Sequence, residues 1–132
     1  MTASLSPKEK AHFMSIERIG VGPRMSQAVV HGHTIYLAGQ VADQAAAKSV
    51  GEQTKEILDS IDRLLAKAGS DKTHILSATI YLTDIGTFAE MNAVWDSWVV
   101  KGHTPARATV EAKLAAPAFR VEIACIAAKP SK

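Results

Sequence analysis

The chain of 132 residues is predicted to be a single α/β domain with a mixed β-sheet and two helices on one face. Strand-like runs of alternating or continuous apolar residues open and close the chain. Two segments with apolar residues at helical spacing lie between them, separated by one more strand-like run. The order is therefore β-β-β-α-β-α-β-β. Helices with a single apolar stripe are expected to lie on a sheet rather than inside it.

Residues 15–40 predict three strands of a β-meander, because their apolar residues alternate or cluster in three short runs. Gly32, between the second and third runs, is the residue that a tight hairpin needs. Residues 1–14 contain few apolar side chains, and we expect a flexible extension there. The folded domain is expected to span residues 15–132.

A capping box predicts the start of the first helix, where Ser49 accepts from the first turn and Glu52 reaches back to it. Apolar residues at helical spacing follow as far as Ala68, and Gly69 suits the position just beyond a helix end. A second capping box, Thr87 with Glu90, predicts the other helix.

That second helix is expected to close at Gly102, and its apolar stripe includes Trp95 and Trp98, which are core or interface residues before they are stacking platforms. The remaining strands are expected at residues 73–83, 106–114 and 119–128.

Arg107 and Glu122 are candidate functional residues, because each is a charged side chain on an otherwise apolar strand, and we expect the two strands to pair. Side chains alternate along a strand, so Arg107, Thr109 and Glu111 share one face. Arg107 either binds an anionic ligand or forms a structural salt bridge to Glu111 or Glu122. Glu122 is either a paired structural charge or a group that handles protons.

Composition and charge give no support to nucleic-acid, membrane or metal binding. The net charge is +2 with the basic residues scattered, which gives no support to nucleic-acid binding. No apolar run approaches the roughly 20 residues that span a bilayer, and the first residues lack the apolar region of a secretion signal, so we expect no membrane partner and a cytoplasmic location. Cys125 is expected to be a buried, inert thiol. The five histidines lack metal-ligand spacing, and no metal is predicted.

The strand around Arg107 has few side chains that water would solvate on its other face, where Ala106, Ala108 and Val110 lie. We therefore expect the uncovered side of the sheet to pack against another subunit.

Seven segments occur in a recognisable order, and they are Ser26–Val30, Ile35–Gln40, Gln53–Thr54, Ile80–Asp84, Phe88–Asn92, Pro105–Glu111 and Val121–Ile123. Together they resemble the RidA (YjgF) family of reactive-intermediate deaminases. The resemblance covers the chain from about Ser15 to Ala128. It implies a chorismate-mutase-like fold and a homotrimer with active sites between subunits. It also implies hydrolysis of 2-imino acids to 2-oxo acids and ammonia without a cofactor.

The resemblance also implies residue roles. Arg107 would grip the substrate carboxylate, and Glu122 would hold or polarise the attacking water. Gly39 and the backbone around Thr109 would line the pocket, and Asn92 matches a further family position, although helix surface is its plain explanation. An arginine fork suits this task because it binds a carboxylate through two charge-assisted hydrogen bonds.

Many deaminating members carry tyrosine, serine and cysteine where this chain has Met25, Ala38 and Thr109, so one pocket wall is expected to be more apolar. Residues 24–26 and 95–100 resemble a different branch of the family. Arg24 either adds a second cation at the pocket mouth or is a solvated surface residue.

Two functions follow from these patterns. The first is a homotrimeric deaminase of 2-imino or enamino acids, with Met25, Ala38, Gly39, Asn92 and Thr109 shaping the pocket around Arg107 and Glu122. The alternative is a non-catalytic trimer that binds a small 2-oxo acid or another metabolite. A ribonuclease would require a basic groove with aromatic side chains, which the sequence does not indicate.

Overall fold

The computed structural model describes residues 4–131, apart from the side chains of residues 12–14. Its helices are α1 (Pro7–Met14), α2 (Val50–Lys67) and α3 (Phe88–Trp98), and its strands are β1 (Ile16–Val21), β2 (Ser26–His31), β3 (Thr34–Leu37), β4 (Ile75–Leu82), β5 (Ala106–Glu111) and β6 (Val121–Ala128). From β1 onward the elements follow the predicted order. The sequence did not predict α1, which lies in the expected extension and whose described side chains are exposed. The domain boundary at residue 15 stays a prediction.

The strands form a six-stranded sheet in the order β1-β2-β3-β6-β4-β5. All neighbours are antiparallel except β4 and β5, which run parallel. The sheet is therefore mixed, as predicted. The expected pairing of the strands that carry Arg107 and Glu122 is wrong, because β4 lies between β5 and β6. The helix α3 connects β4 to β5, and such a crossover is what allows two strands to run parallel.

The core lies between one face of the sheet and the helices α2 and α3. Alternate strand residues point into it, including Ala28, Val30, Ile35, Ile80, Leu82, Val121 and Ile123. The predicted apolar stripe of α2 is buried throughout, and so is Gln53. The amide of Gln53 donates to the carbonyls of Lys48 and Ala118 and accepts from the backbone N–H of Arg120. A buried polar side chain is tolerated there because its hydrogen bonds are made.

Both ends of α2 are as predicted. The Ser49 hydroxyl accepts from the backbone N–H of Glu52 at 3.1 Å, and the Glu52 carboxylate contacts that hydroxyl at 3.0 Å. At the other end Gly69 has φ of 86°, and Ser70 N–H donates to the Leu65 carbonyl at 2.8 Å. This is the Schellman arrangement, in which glycine takes the left-handed conformation and satisfies late carbonyls.

The predicted capping box at the start of α3 is wrong. Thr87 makes no side-chain cap, and its hydroxyl instead donates to the Asp84 carbonyl at 2.6 Å. Residues 85–87 form a 3₁₀ turn that leads into the helix, so Thr87 already has near-helical backbone angles. The Glu90 carboxylate accepts from Gly51 N–H at 2.8 Å and so ties α3 to the first turn of α2. The helix also ends at Trp98, before the expected Gly102.

At two strand junctions the structure can be compared with the predicted boundaries. Gly32 and His33 form a two-residue turn between β2 and β3, with φ of 64° at Gly32, which confirms the predicted hairpin. The strand expected from residue 73 begins only at Ile75, because Lys72–His74 form a 3₁₀ turn capped by the Asp71 carboxylate.

The face of the sheet away from α2 and α3 carries several exposed apolar side chains in the single chain. The side chains of Tyr36, Ile126 and Val110 are 48%, 37% and 43% exposed, and they belong to three different strands. Register places Ser77 and Thr79 on the same face, opposite Ala106 and Ala108. We call this surface the open face, and its expected packing against another subunit stays a prediction.

Candidate functional site

Arg107 lies at the edge of the sheet, on the side that the helices cover. It is opposite Ala78 in the parallel pairing of β5 with β4, and Ala78 is buried in the core. Side chains of directly paired residues point to the same face. The same register places Thr109 opposite Ile80 and Glu111 opposite Leu82, so the predicted shared face of these residues is confirmed.

The guanidinium of Arg107 is in contact with α3. Its Nη1 donates to the Asn92 Oδ1 at 2.8 Å. Its Cζ lies 5.2 Å from the ring centroid of Trp95 and 5.8 Å from that of Phe88. These distances are in the range of cation–π interactions.

The salt-bridge alternative for Arg107 is not realised within the described part of the chain. The ion pairs there are Lys55 with Asp59 and His74 with Asp71. The Glu111 carboxylate instead accepts from the backbone N–H of Ile85 at 3.0 Å. The arginine is exposed and keeps N–H groups for an anion, and the hydrogen bond to a neutral amide leaves its charge uncompensated.

Glu122 lies on the open face. It is opposite Tyr81 in the pairing of β6 with β4, while its neighbours Val121 and Ile123 point into the core. Its half-buried carboxylate rests against Gly39, where an added Cβ would overlap Oε2 and lie 2.8 Å from the carboxyl carbon. A side chain at position 39 would therefore fit only if the Glu122 carboxylate moved away.

Arg107 and Glu122 lie on opposite faces of the sheet in one protomer. The register of β4 settles this, since Ala78 points into the core and Tyr81 points to the open face. A single protomer does not bring the guanidinium and the carboxylate together. A site that uses both requires a second copy of the chain.

The other predicted pocket residues fall near one or the other group. Thr109 shares the face of Arg107, and its Oγ1 is buried without a hydrogen-bond partner among the described residues. Ala38 follows β3 and precedes Gly39, and its N–H donates to the Gln27 carbonyl. Met25, just before β2, is 48% exposed, and the neighbouring Arg24 is exposed as well.

The contact of Arg107 with Phe88 and Trp95 was not predicted. Trp95 was expected in the core or an interface, and it is indeed buried. The signal that could have linked it to Arg107 is its spacing, since residues 88, 92 and 95 recur at the interval of one helix face. What the sequence lacked was the position of β5 beside that face.

Neither of two shallow surface depressions includes Arg107 or Glu122. One lies along the first turns of α2, and the other lies between α1 and the ends of the sheet near His33. Both depressions are formed by one chain alone, so they do not describe a cleft that a second copy would complete.

The described residues contain no cluster of three or more metal-ligating side chains. None of the described helices is both long and apolar enough to cross a membrane.

Comparisons with known proteins point to one family. Residues 16–129 match the model of a family described as Endoribonuclease L-PSP. A RutC family protein of Haemophilus influenzae is 48% identical over 114 residues, which cover 86% of this chain and 98% of the relative. The 2-iminobutanoate/2-iminopropanoate deaminase of Homo sapiens is 32% identical over 112 residues, covering 81% of this chain and 80% of that protein.

Among solved structures, a YjgF family protein from Neisseria meningitidis is 50% identical with a TM-score of 0.88, covering 92% of this chain and 100% of that one. The match therefore extends over both strands that carry the candidate charges and over the whole sheet between them. Sequence motifs, sheet order and relatives all agree that the chain belongs to the RidA (YjgF) family.

Proposed function

We propose that the protein hydrolyses reactive 2-imino and enamino acids to 2-oxo acids and ammonia. The observation that carries the proposal is the guanidinium of Arg107, which is exposed, fixed against α3 and free of an ion pair in the described part of the chain. Such a group binds a small carboxylate. More distant relatives from mammals, which bear the name 2-iminobutanoate/2-iminopropanoate deaminase, support the reaction class.

The reaction needs orientation and proton transfer more than a strong nucleophile. Water adds across the carbon–nitrogen double bond of the protonated imine, and one water proton passes to a base. The base returns that proton to the nitrogen of the resulting carbinolamine, ammonia leaves, and the hydroxyl group gives its proton to the same base as the carbonyl of the 2-oxo acid forms. We assign the base to Glu122, whose carboxylate rests against Gly39. Arg107 holds the substrate carboxylate, so the imine carbon stays in reach of that water.

The assembly follows from the separation of the two groups. Arg107 and Glu122 lie on opposite faces of the sheet, so the site is complete only where the helix side of one copy meets the open face of another. A head-to-tail contact of this kind closes into a ring, and we propose the homotrimer implied by the family resemblance. The apolar side chains of the open face support burial of that surface between copies.

The pocket wall is expected to favour substrates with small apolar side chains. Ala38 and Met25 lie beside Gly39 and Ser26, on the side of Glu122, and carry no hydroxyl group. On the side of Arg107, the Thr109 Oγ1 is buried and has no hydrogen-bond partner among the described residues.

A direct assay tests the proposal. A pyridoxal-phosphate lyase generates 2-iminobutanoate or 2-aminoacrylate, and release of the oxo acid is followed with and without the protein. We expect acceleration over the buffer rate, with kcat/KM falling about 10- to 100-fold in Arg107→Ala because one charge-assisted interaction is lost. Glu122→Gln, which keeps the shape of the side chain, should lower kcat. A folded wild-type oligomer that gives no acceleration would reject the deaminase.

A non-catalytic binder of 2-oxo acids is the second candidate. The observation in its favour is that Arg107 and its α3 contacts are complete within one protomer, whereas Glu122 is not part of that cluster. Carboxylate binding therefore needs only the arginine side of the site. Calorimetric binding of 2-oxobutanoate to a protein without turnover, abolished by Arg107→Ala, would favour this candidate over the enzyme.

A further inference from the structure

Three side chains of α3 surround the Arg107 guanidinium. Asn92 accepts from Nη1 at 2.8 Å, and the rings of Phe88 and Trp95 lie with centroids 5.8 Å and 5.2 Å from Cζ. Their spacing along the helix puts them on one face. We call this set, Phe88, Asn92 and Trp95, the guanidinium cradle.

Trp95, one side of the guanidinium cradle, is held in place by its own packing. Trp95 is 4% exposed, and its ring lies 5.3 Å from that of Trp98. The indole N–H of Trp98 donates to the Asp62 carboxylate of α2 at 2.9 Å, and Lys72 Nζ lies 5.2 Å from the same ring. The packing that holds Trp95 therefore extends from α3 to α2, and the position of the indole ring does not depend on Arg107.

Trp95 acts through Arg107 rather than on a ligand. With so little of its surface exposed, it offers no face on which a substrate could stack. Asn92 also contacts the guanidinium, since its Oδ1 accepts from Arg107 Nη1. Its expected place in the pocket stays a prediction.

We propose that Trp95 and Asn92 are positioning residues that hold the Arg107 guanidinium in one orientation, with Nη1 engaged and the remaining N–H groups presented to a carboxylate. A guanidinium is weakly hydrated and planar, so an aromatic floor and one in-plane acceptor together restrict its rotation. The inference rests on the proposed function only for the identity of the ligand, a 2-imino or 2-oxo acid. The cradle itself is a property of the single protomer.

The first test is spectroscopic and requires no turnover. In a ¹H–¹⁵N spectrum, the Nε–H signal of Arg107, assigned with Arg107→Lys, should be shifted by the ring current of Trp95. We expect Trp95→Leu to move that signal toward the position of a solvated arginine, and Trp95→Phe to keep part of the shift. Asp96→Ala, an exposed change on the same helix, is the control and should leave the signal in place. An unchanged signal in Trp95→Leu overturns the cradle.

The second test measures affinity. Trp95→Leu and Asn92→Ala should weaken binding of 2-oxobutanoate about three- to tenfold, the range expected for one such contact, and should raise KM more than they lower kcat. Asn92→Asp should weaken binding further, because its carboxylate competes with the ligand for Arg107. In the Arg107→Lys background, Trp95→Leu should have little further effect. Equal affinity in Asn92→Ala, Asn92→Asp and wild type overturns the proposal.

The two proposals fail in different ways. A wild-type protein without turnover rejects the deaminase, while the Arg107 signal still decides whether the cradle exists. Should Trp95→Leu fail to fold, as circular dichroism would show, Trp95→Phe and the two Asn92 variants supply the same comparison. A wild-type signal and wild-type affinity in all three of these variants would overturn the inference.

Discussion

Gly39 is the residue at which one added methyl group tests the role of Glu122. The methyl of Gly39→Ala would overlap the Glu122 carboxylate. Because the overlapped atoms are the end of a flexible side chain, we expect the carboxylate to move and the fold to persist. A displacement of about 1 Å at a reacting group can cost up to roughly 100-fold, so we expect kcat/KM to fall at least about tenfold.

The control for this prediction is the same substitution in a Glu122→Ala background. With the carboxylate gone, Gly39→Ala should change the residual rate and the melting temperature little, as two coupled sites behave in a double-mutant cycle. Additive effects of the two substitutions would show that Gly39 is needed for a different reason.

Cys125 is expected to be chemically silent in the folded protein. It is 2% exposed on the core side of β6, and burial raises the pKa of its thiol to about 12. The thiolate is the reactive form, so an aromatic disulfide reagent at pH 8 should not modify the native protein. One equivalent should react after denaturation in guanidinium chloride. Rapid native modification would contradict the burial.

Sequence alternation correctly predicted that Arg107 and Thr109 share a face of their strand. It could not predict that Glu122 faces the other way. That relation depends on β4 lying between β5 and β6, a long-range pairing that no local pattern encodes. The partners of the guanidinium were missed for the same reason, since Trp95 had the pattern of an ordinary core residue.

At the scale of the elements, Gly69 tests the predicted end of α2. Its φ of 86° lies in the left-handed region, where a Cβ costs about 1 kcal/mol. We expect Gly69→Ala to lower the free energy of unfolding by about that amount. Gly69→Asn should cost less, because asparagine tolerates this conformation. Urea titrations at one protein concentration measure both, and a stabilising alanine would contradict the assigned cap.

Asp71 makes the turn before β4 sensitive to pH. The hydroxyl and then the backbone N–H of Thr73 hydrogen-bond its carboxylate and lower its pKa below the ordinary value, with His74 adding a smaller effect. A lowered folded pKa gives stability that is present above the unfolded pKa and lost as pH falls through the folded one.

We therefore expect Asp71→Asn, which keeps an acceptor oxygen but no charge, to melt below wild type at pH 7. The gap should close once the pH has fallen through the lowered pKa of folded Asp71, because both side chains are then neutral. Because the carboxylate is exposed, the difference should stay under about 1 kcal/mol. Scanning calorimetry from pH 2.5 to 7 measures it, and a gap that does not vary with pH would contradict the assignment.

The two capping boxes show how far local signals predict an element. Ser49 and Glu52 form the expected cap because the chain enters α2 in an extended conformation at Ser49. Thr87 and Glu90 have the same spacing, yet a 3₁₀ turn precedes α3 and removes the extended residue that a cap requires. The released Glu90 bonds to Gly51 instead, 39 residues away in the chain.

At the scale of the whole molecule, mixing two variants tests the proposal that the site is shared between subunits. Arg107→Ala and Glu122→Ala subunits each lack one group, and the two groups lie on opposite faces of the sheet. Unfolded together and refolded as mixed rings, they should recover about a quarter of the wild-type rate, since one site in four joins two intact groups. Each variant refolded alone is the control. No recovery in verified mixed oligomers would place both groups in one subunit.

The class of fold was predictable, because helical and strand periodicities follow directly from which face of each element is buried. Alternation of buried residues along β4 and β6, as in Ile80 and Leu82 or Val121 and Ile123, carries that information locally. The order of strands in the sheet did not follow, since it depends on contacts between distant segments. The helix α1 was missed because its residues form no apolar stripe.

The strand β5 is an edge strand of the sheet. Its unpaired backbone groups lie beside the exposed residues Ala106, Ala108 and Val110. An exposed edge strand pairs non-specifically with strands of other chains. Assembly into a closed ring would protect it, so dilution that separates the protomers should lower the melting temperature. The strand that carries Arg107 would then also be the one that makes thermal stability depend on protein concentration.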